Sequence, residues 1–127
     1  MPDAHIKFLQ SGHLWLELEG KVFVHGGFDP RVPLNRQSAQ FLVWDRDLLD
    51  DAWKRSVAGS NAPYGGYKDI FVGHTTTQMY QSFEPVHFCN VWGLDTGAGW
   101  SCRWNQMPCS ARLLSTAAAH LLQTVIT

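Results

Sequence analysis

Two histidines in this 127-residue chain occupy the same kind of setting. In Val22-Phe23-Val24-His25-Gly26-Gly27 and again in Ile70-Phe71-Val72-Gly73-His74-Thr75, an apolar run of β-branched and aromatic residues stops at a histidine beside glycine. Runs of that type bounded by glycine read as buried strands. Ligands of open α/β sheets bind in the crevice beyond the carboxyl ends of such strands. A glycine neighbour carries no Cβ, so backbone and ligand approach closely at that point. One histidine of this kind is more often a strand-end residue satisfied by a local hydrogen bond. Its repetition points instead to a metal or phosphate site.

The elements that would position these imidazoles follow from the local patterns. A helix is expected over Asp3 to Gln10, with Pro2 and Asp3 in a first turn and Ile6 and Leu9 on an apolar face. Leu14, Leu16 and Leu18 alternate with Trp15, Glu17 and Glu19, and Lys21 then opens the His25 run, which gives a hairpin about Glu19-Gly20. Phe28 to Pro33 holds two prolines and reads as a loop. Phe41, Trp44, Leu48 and Ala52 recur at helical spacing between Ser38 and Trp53, with a break expected near Asp45-Arg46-Asp47 and the tryptophan as an anchor of the helix. Ala58 to Gly66 is a turn-rich loop leading to the His74 strand. Pro85 to Leu94 suggests one or two further strands that end in Asp95-Thr96-Gly97-Ala98-Gly99-Trp100. Beyond Trp100 the pattern changes, and Arg112 to Ile126 reads as a helix with Leu114, Ala118, Leu121 and Val125 on one stripe.

Composition narrows the class. With 45% hydrophobic and 13% aromatic residues, the chain has enough apolar content for one globular core, which excludes a disordered or fibrous class. Ten basic against 11 acidic residues leave no basic stripe for nucleic acid, so an anionic substrate must be held locally. The three cysteines, Cys89, Cys102 and Cys109, form no CxxC and read as reduced thiols, in keeping with a cytoplasmic protein. No apolar stretch reaches membrane-spanning length, and residues 1–5 have no signal-peptide character.

Taken together, VFVHGGFDP at 22–30, VWDRDL at 43–48, DIFVGHTTT at 69–77 and CNVWGLDTGAGW at 89–100 resemble the C-terminal half of a bacterial serine/threonine protein phosphatase of the calcineurin-like metallophosphoesterase family. The resemblance implies an α/β fold, part of a sandwich of two sheets flanked by helices, over residues 1–100, with 101–127 as a divergent tail. It implies that His25 and His74 bind one metal of a two-metal centre, with Mn²⁺ expected and Fe or Zn as alternatives. Arg46 takes the place of an arginine that grips substrate phosphate, and its planar fork suits two phosphate oxygens. Asp95 lies near the site in such enzymes without being carried over as a ligand. The reaction implied is hydrolysis of a phosphorylated protein or small phosphate monoester by metal-activated water.

The family's GDxHG, GDxxDRG and GNHE or GNHD motifs, which supply the other ligands, the bridging carboxylate and the leaving-group acid, do not occur here. The expectation is therefore a fragment of a phosphoesterase that is inactive alone, with a non-catalytic binding or assembly module as the alternative. A halved sandwich leaves an apolar sheet face, so a homo-oligomer is expected. Cys102, Cys109 and His120 match no tight zinc spacing and read as core or surface groups. His5, His13 and His87 lack glycine neighbours and read as structural. Asp45, Asp47, Asp50 and Asp51 read as the solvated face of a helix, with Asp45 and Asp47 flanking and orienting Arg46.

Overall fold

The computed structural model of the chain describes residues 2–97. Five short strands form one mixed sheet: β1 (Trp15–Leu18), β2 (Lys21–Val24), β3 (Asp69–Val72), β4 (Val86–Phe88) and β5 (Val91–Gly93), in the order β1-β2-β3-β5-β4. The three inner strands β2, β3 and β5 run parallel, while β1 and β4 are antiparallel edges. Parallel neighbours require crossovers, and the β2 to β3 crossover carries the helices α2 (Ala39–Trp44) and α3 (Asp47–Val57). A further helix, α1 (Asp3–Gln10), precedes the sheet. The observed class is thus α/β, and the expected helix bounds at 3–10 and the break between α2 and α3 are both found.

Alternation decides which face is covered. Val22, Val24, Ile70, Val72 and Val91 are wholly buried on one side of the sheet, where Leu42 of α2 and Leu48, Leu49 and Ala52 of α3 complete the core. Burying each such aliphatic side chain contributes about 1.5–3 kcal/mol. Gly93 lets α3 close on the sheet, because a Cβ there would stand 2.8 Å from Leu49 Cδ2 and 2.9 Å from Val86 Cγ2. The β1–β2 hairpin turns through Glu19 and Gly20, both at positive φ (51° and 77°), as a tight two-residue hairpin turn requires.

Three expectations need correction. Phe41 and Trp44 do not anchor the helix: both are exposed, Trp44 by 64%, and the buried positions are Leu42, Leu48, Leu49 and Ala52. The break at Asp45 rotates α3 relative to α2, so one continuous helical register does not carry across it. Ile6 does not pack α1 onto the core and is exposed. Of the alternating leucines, Leu16 and Leu18 point away from the helix-covered face, whereas Leu14, just before the strand, and Trp15 pack against the core. The expected C-terminal helix and the thiols Cys102 and Cys109, together with His120, lie outside the described residues; Cys89 is a free, half-buried thiol.

Candidate metal and phosphate site

Because β2, β3 and β5 are parallel, their carboxyl ends lie side by side. The first polar side chains beyond them are His25, His74 and Asp95. Main-chain bonds hold the three ends together: the Gly73 N–H donates to the His25 carbonyl (2.7 Å), the Leu94 N–H to the Val72 carbonyl (2.9 Å) and the Thr77 N–H to the Asp95 carbonyl (2.8 Å).

The two imidazoles reach the same place by different backbones. His25 continues the β2 alternation on the Phe23 side. Strict alternation after Val72 would send His74 to the helix-covered side, but its φ of 62° puts it in the left-handed region and redirects it. Histidine tolerates that region better than most side chains. The rings end 5.1 Å apart between centroids at 54° to one another. His25 Nδ1 and His74 Nε2 are both buried with no hydrogen-bond partner, and so are the hydroxyls of Thr75, beside His74, and Thr96, beside Asp95 on the loop after β5. Bare buried polar atoms are costly and call for a partner.

Electrostatics keep both rings in the form that offers a lone pair. Burial pushes the His25 imidazole below its ordinary range, the neighbouring His74 adds to this, and Asp95 opposes both. Burial likewise lowers His74, helped by the Arg46 cation and opposed by Asp95. Neutral imidazole is the form that binds a metal.

Arg46 stands at the junction of α2 and α3, where its Nη1 donates to the His74 carbonyl oxygen at 3.2 Å. That bond uses part of the guanidinium and leaves the rest of an exposed side chain available. Trp44 lies edge-on against the His74 ring at 5.1 Å and 88°. The junction is fixed from below by Asp45, whose carboxylate accepts from the Asp47 and Leu48 N–H groups at 3.2 Å each and so caps α3. Asp45 is buried, not part of a solvated acidic face, and burial raises its carboxyl above the usual range. Its packing explains the paired glycines after His25. A Cβ on Gly26 would stand 2.7 Å from the Val43 carbonyl, and one on Gly27 would overlap the Asp45 carboxylate. The Gly26 N–H donates to the Leu42 carbonyl at 2.8 Å, so the strand end and the helix junction are one unit.

The donor set suits part of a metal centre. With metal–nitrogen bonds of about 2.1 Å and each ring centre about 1.1 Å behind its nitrogen, two imidazoles on one tetrahedral ion have centroids about 5 Å apart. The observed 5.1 Å meets that spacing. Two nitrogens are fewer than the three protein ligands of a catalytic site, and no group of three or more His, Cys, Asp or Glu side chains among the described residues is arranged to hold an ion. Asp95 is close enough for its charge to act on both imidazoles, and its Oδ1 accepts from the Gly97 N–H at 2.9 Å.

The three residues singled out in the sequence, His25, His74 and Arg46, are therefore neighbours in space. What the sequence did not disclose is the placement of Trp44 against His74 and the depth of Asp45. The signal for Asp45 was an acidic residue at a helix break, with a backbone N–H free three residues on at Leu48. No protein-family model matches this chain, and no curated protein matches it.

Proposed function

We propose that the chain carries one edge of a metal-dependent phosphoesterase site: His25 and His74 hold one divalent cation, Mn²⁺ being expected, and Arg46 binds the phosphate of a phosphorylated protein or small monoester. The observation that supports this most is the pair of buried, unpartnered imidazole nitrogens on adjoining parallel strand ends, with ring centroids 5.1 Å apart. The sandwich architecture of the calcineurin-like family belongs to the same proposal.

Each residue has a stated task. His25 and His74 are held neutral by burial and offer lone pairs. The His74 carbonyl orients the Arg46 guanidinium, whose remaining N–H groups can take two phosphate oxygens. Trp44 walls the His74 ring on one side. A bound divalent ion supplies Lewis acidity and a hydroxide near neutral pH. With two imidazoles and no bridging carboxylate among the described residues, ground-state binding outweighs catalysis, because equal binding of ground and transition states does not speed chemistry. The same observation favours a second reading, a binding or assembly module that retains the fold without turnover.

Titration calorimetry with MnCl₂ tests the proposal. One site is expected in the native chain, weakened at least about tenfold in both His25→Ala and His74→Ala, as loss of one of two ligands requires. Tungstate, a phosphate mimic, is expected to bind the Mn²⁺-loaded chain and to lose affinity in Arg46→Ala. Turnover of p-nitrophenyl phosphate by the chain alone is expected near background. Absence of Mn²⁺ binding, or binding indifferent to both histidine substitutions, would overturn the metal assignment.

A further inference from the structure

We propose that the groove between the loop after β2 and the first turns of α3 binds an arginine side chain, and that the substrate is a phosphorylated protein with an arginine close to its phosphoresidue. The groove stands on its own geometry; the phosphoprotein rests on the phosphoesterase reading. The groove is a cavity of about 420 Å³, within the ~300–1,000 Å³ of small-ligand sites. Phe28, Leu48 and Tyr64 are buried and form its base, and the half-exposed Phe41 gives it an open apolar wall. Four aspartates line it against two arginines.

Charge selects the occupant. Both arginines of the groove are already neutralised: Arg31 makes a two-point pair with Asp29 at 2.9 and 2.8 Å, and Arg55 pairs with Asp51 at 3.0 Å. On the same helix Lys54 takes Asp50 at 2.6 Å. Asp47 is left over, since its carboxylate has no hydrogen-bond or ion-pair partner among the described residues. It stands one helical turn from Asp51, a like-charge spacing that costs stability unless a cation lies between. Asp51 uses Oδ2 for both Arg55 and the Tyr64 hydroxyl (2.5 Å), which leaves its Oδ1 open among the described residues. Burial pushes the Asp45 carboxyl up, its bonds to the Leu48 and Asp47 N–H groups oppose this, and the charges of Asp47 and Asp29 add to the rise, so the groove holds excess negative charge. A first helical turn favours an acid, but that alone puts no apolar cavity beside it. An arginine suits both features, because its five N–H donors can span two carboxylates and its flat face lies well on an aromatic ring. Arg55 shows the fit inside the groove, 4.4 Å over the Tyr64 ring.

The groove adjoins the phosphate side of the molecule. A second cavity, of about 460 Å³, is lined by Arg46 and Trp44 and shares Phe41, Asp45 and Asp47 with the first. Arg46 and Asp47 thus present opposite charges on adjoining residues, the complement of a ligand that carries a phosphate and a guanidinium. A small monoester meets only the first of these charges, whereas a protein segment meets both.

NMR shift mapping of the whole chain with N-acetyl-arginine amide, without Mn²⁺ or phosphate, tests the groove by itself. Saturable shifts at the Asp47, Asp51 and Tyr64 amides are expected, with affinity lowered about tenfold for N-acetyl-citrulline amide, which has the shape without the charge, and lowered likewise in Asp47→Asn. The Asp47 carboxylate makes no bond that holds the fold, so that variant is expected to stay native by circular dichroism. Fluorescence anisotropy with Mn²⁺ present then compares a phosphoserine peptide bearing arginine two residues to either side with the same peptide bearing glutamine. The arginine peptide is expected to bind about tenfold tighter, Asp47→Asn to lose that preference, and Arg46→Ala to weaken both peptides alike. Absence of saturable shifts with the arginine amide, or binding indifferent both to citrulline and to Asp47→Asn, overturns the groove as an arginine site. Phosphopeptides bound equally with arginine or glutamine overturn the substrate assignment. Arginine-amide binding in a chain that takes up neither Mn²⁺ nor tungstate upholds the groove and overturns the phosphoesterase reading, and the phosphoprotein with it.

Discussion

The ends of β2 and β3 deliver the same side chain to the same place, and they pay different structural costs for it. At the β2 end the histidine itself is unstrained, and the constraint falls on Gly26 and Gly27, which must be small so that the α2–α3 junction can seat Asp45 and Arg46. At the β3 end the histidine carries the strain in its own backbone, at φ 62°. The lesson is that the glycines flanking a site histidine can serve helix packing more than ligand access. The first end should be intolerant of added volume. The second should be tolerant of any side chain that accepts the left-handed conformation.

The largest expected effect breaks the first end. Gly27→Ala places a methyl group in the space of the buried Asp45 carboxylate and is expected to cost about 3 kcal/mol, as overpacking does, read as a fall in the urea midpoint at unchanged slope. Asp45→Ala comes next. It removes the carboxylate that caps α3 through two N–H groups and is expected to cost about 1–2 kcal/mol, with Asp45→Asn recovering most of that.

The second end is expected to respond in the opposite direction. His74→Gly relieves a positive φ and should leave stability within about 1 kcal/mol of the native chain, while Mn²⁺ binding is lost. His74→Val, which keeps a side chain but is β-branched, should be the less stable of the two in thermal melts. If Gly27→Ala were harmless and His74→Gly severely destabilising, the contrast between the two ends would be inverted.

A pH titration sharpens the comparison further. Both imidazoles have folded-state values below the ordinary value of about 6.5, so the unfolded chain binds protons at these sites first. Stability therefore falls as pH drops from about 6.5 toward the folded values and levels off once both states are protonated. Burial is the leading cause at both rings, with proximity of His74 second for His25 and of Arg46 second for His74. Arg46→Ala should accordingly flatten the His74 part of the dependence and leave the His25 part, which NMR of the ring protons resolves. The smallest effect is expected far from either end: Asp50→Asn breaks the exposed pair with Lys54 on α3 and should change stability by no more than about 0.5 kcal/mol.

Much of this arrangement could be read in the chain. Strands ending at His25 and His74 were legible because β-branched runs stopped at glycine, and the hairpin at Glu19-Gly20 because alternation broke there. Helix bounds at α1 and the break before α3 were legible from caps and spacing. The face of each element was not. Phe41 and Trp44 have the helical spacing of buried residues but are exposed, since the turn at Asp45 resets the register of α3. Leu16 and Leu18 alternate as core residues do, but the hairpin register sets them opposite Phe23 and Lys21 on the side away from the helices. Periodicity shows that an element has two faces; only the tertiary pairing shows which one is covered. The redirection of His74 was equally hidden, because nothing in Gly73-His74-Thr75 announces that the histidine and not the glycine takes the left-handed conformation.

The central claim is that His25 and His74 act on one ion. Crystals of the chain soaked in MnCl₂, with diffraction recorded above the manganese absorption edge, test it directly. One anomalous peak bonded at about 2.1 Å to both His25 Nδ1 and His74 Nε2 is the expected result. A map with no peak there, or rings turned so that those nitrogens stand farther apart than about twice that bond length, would contradict it.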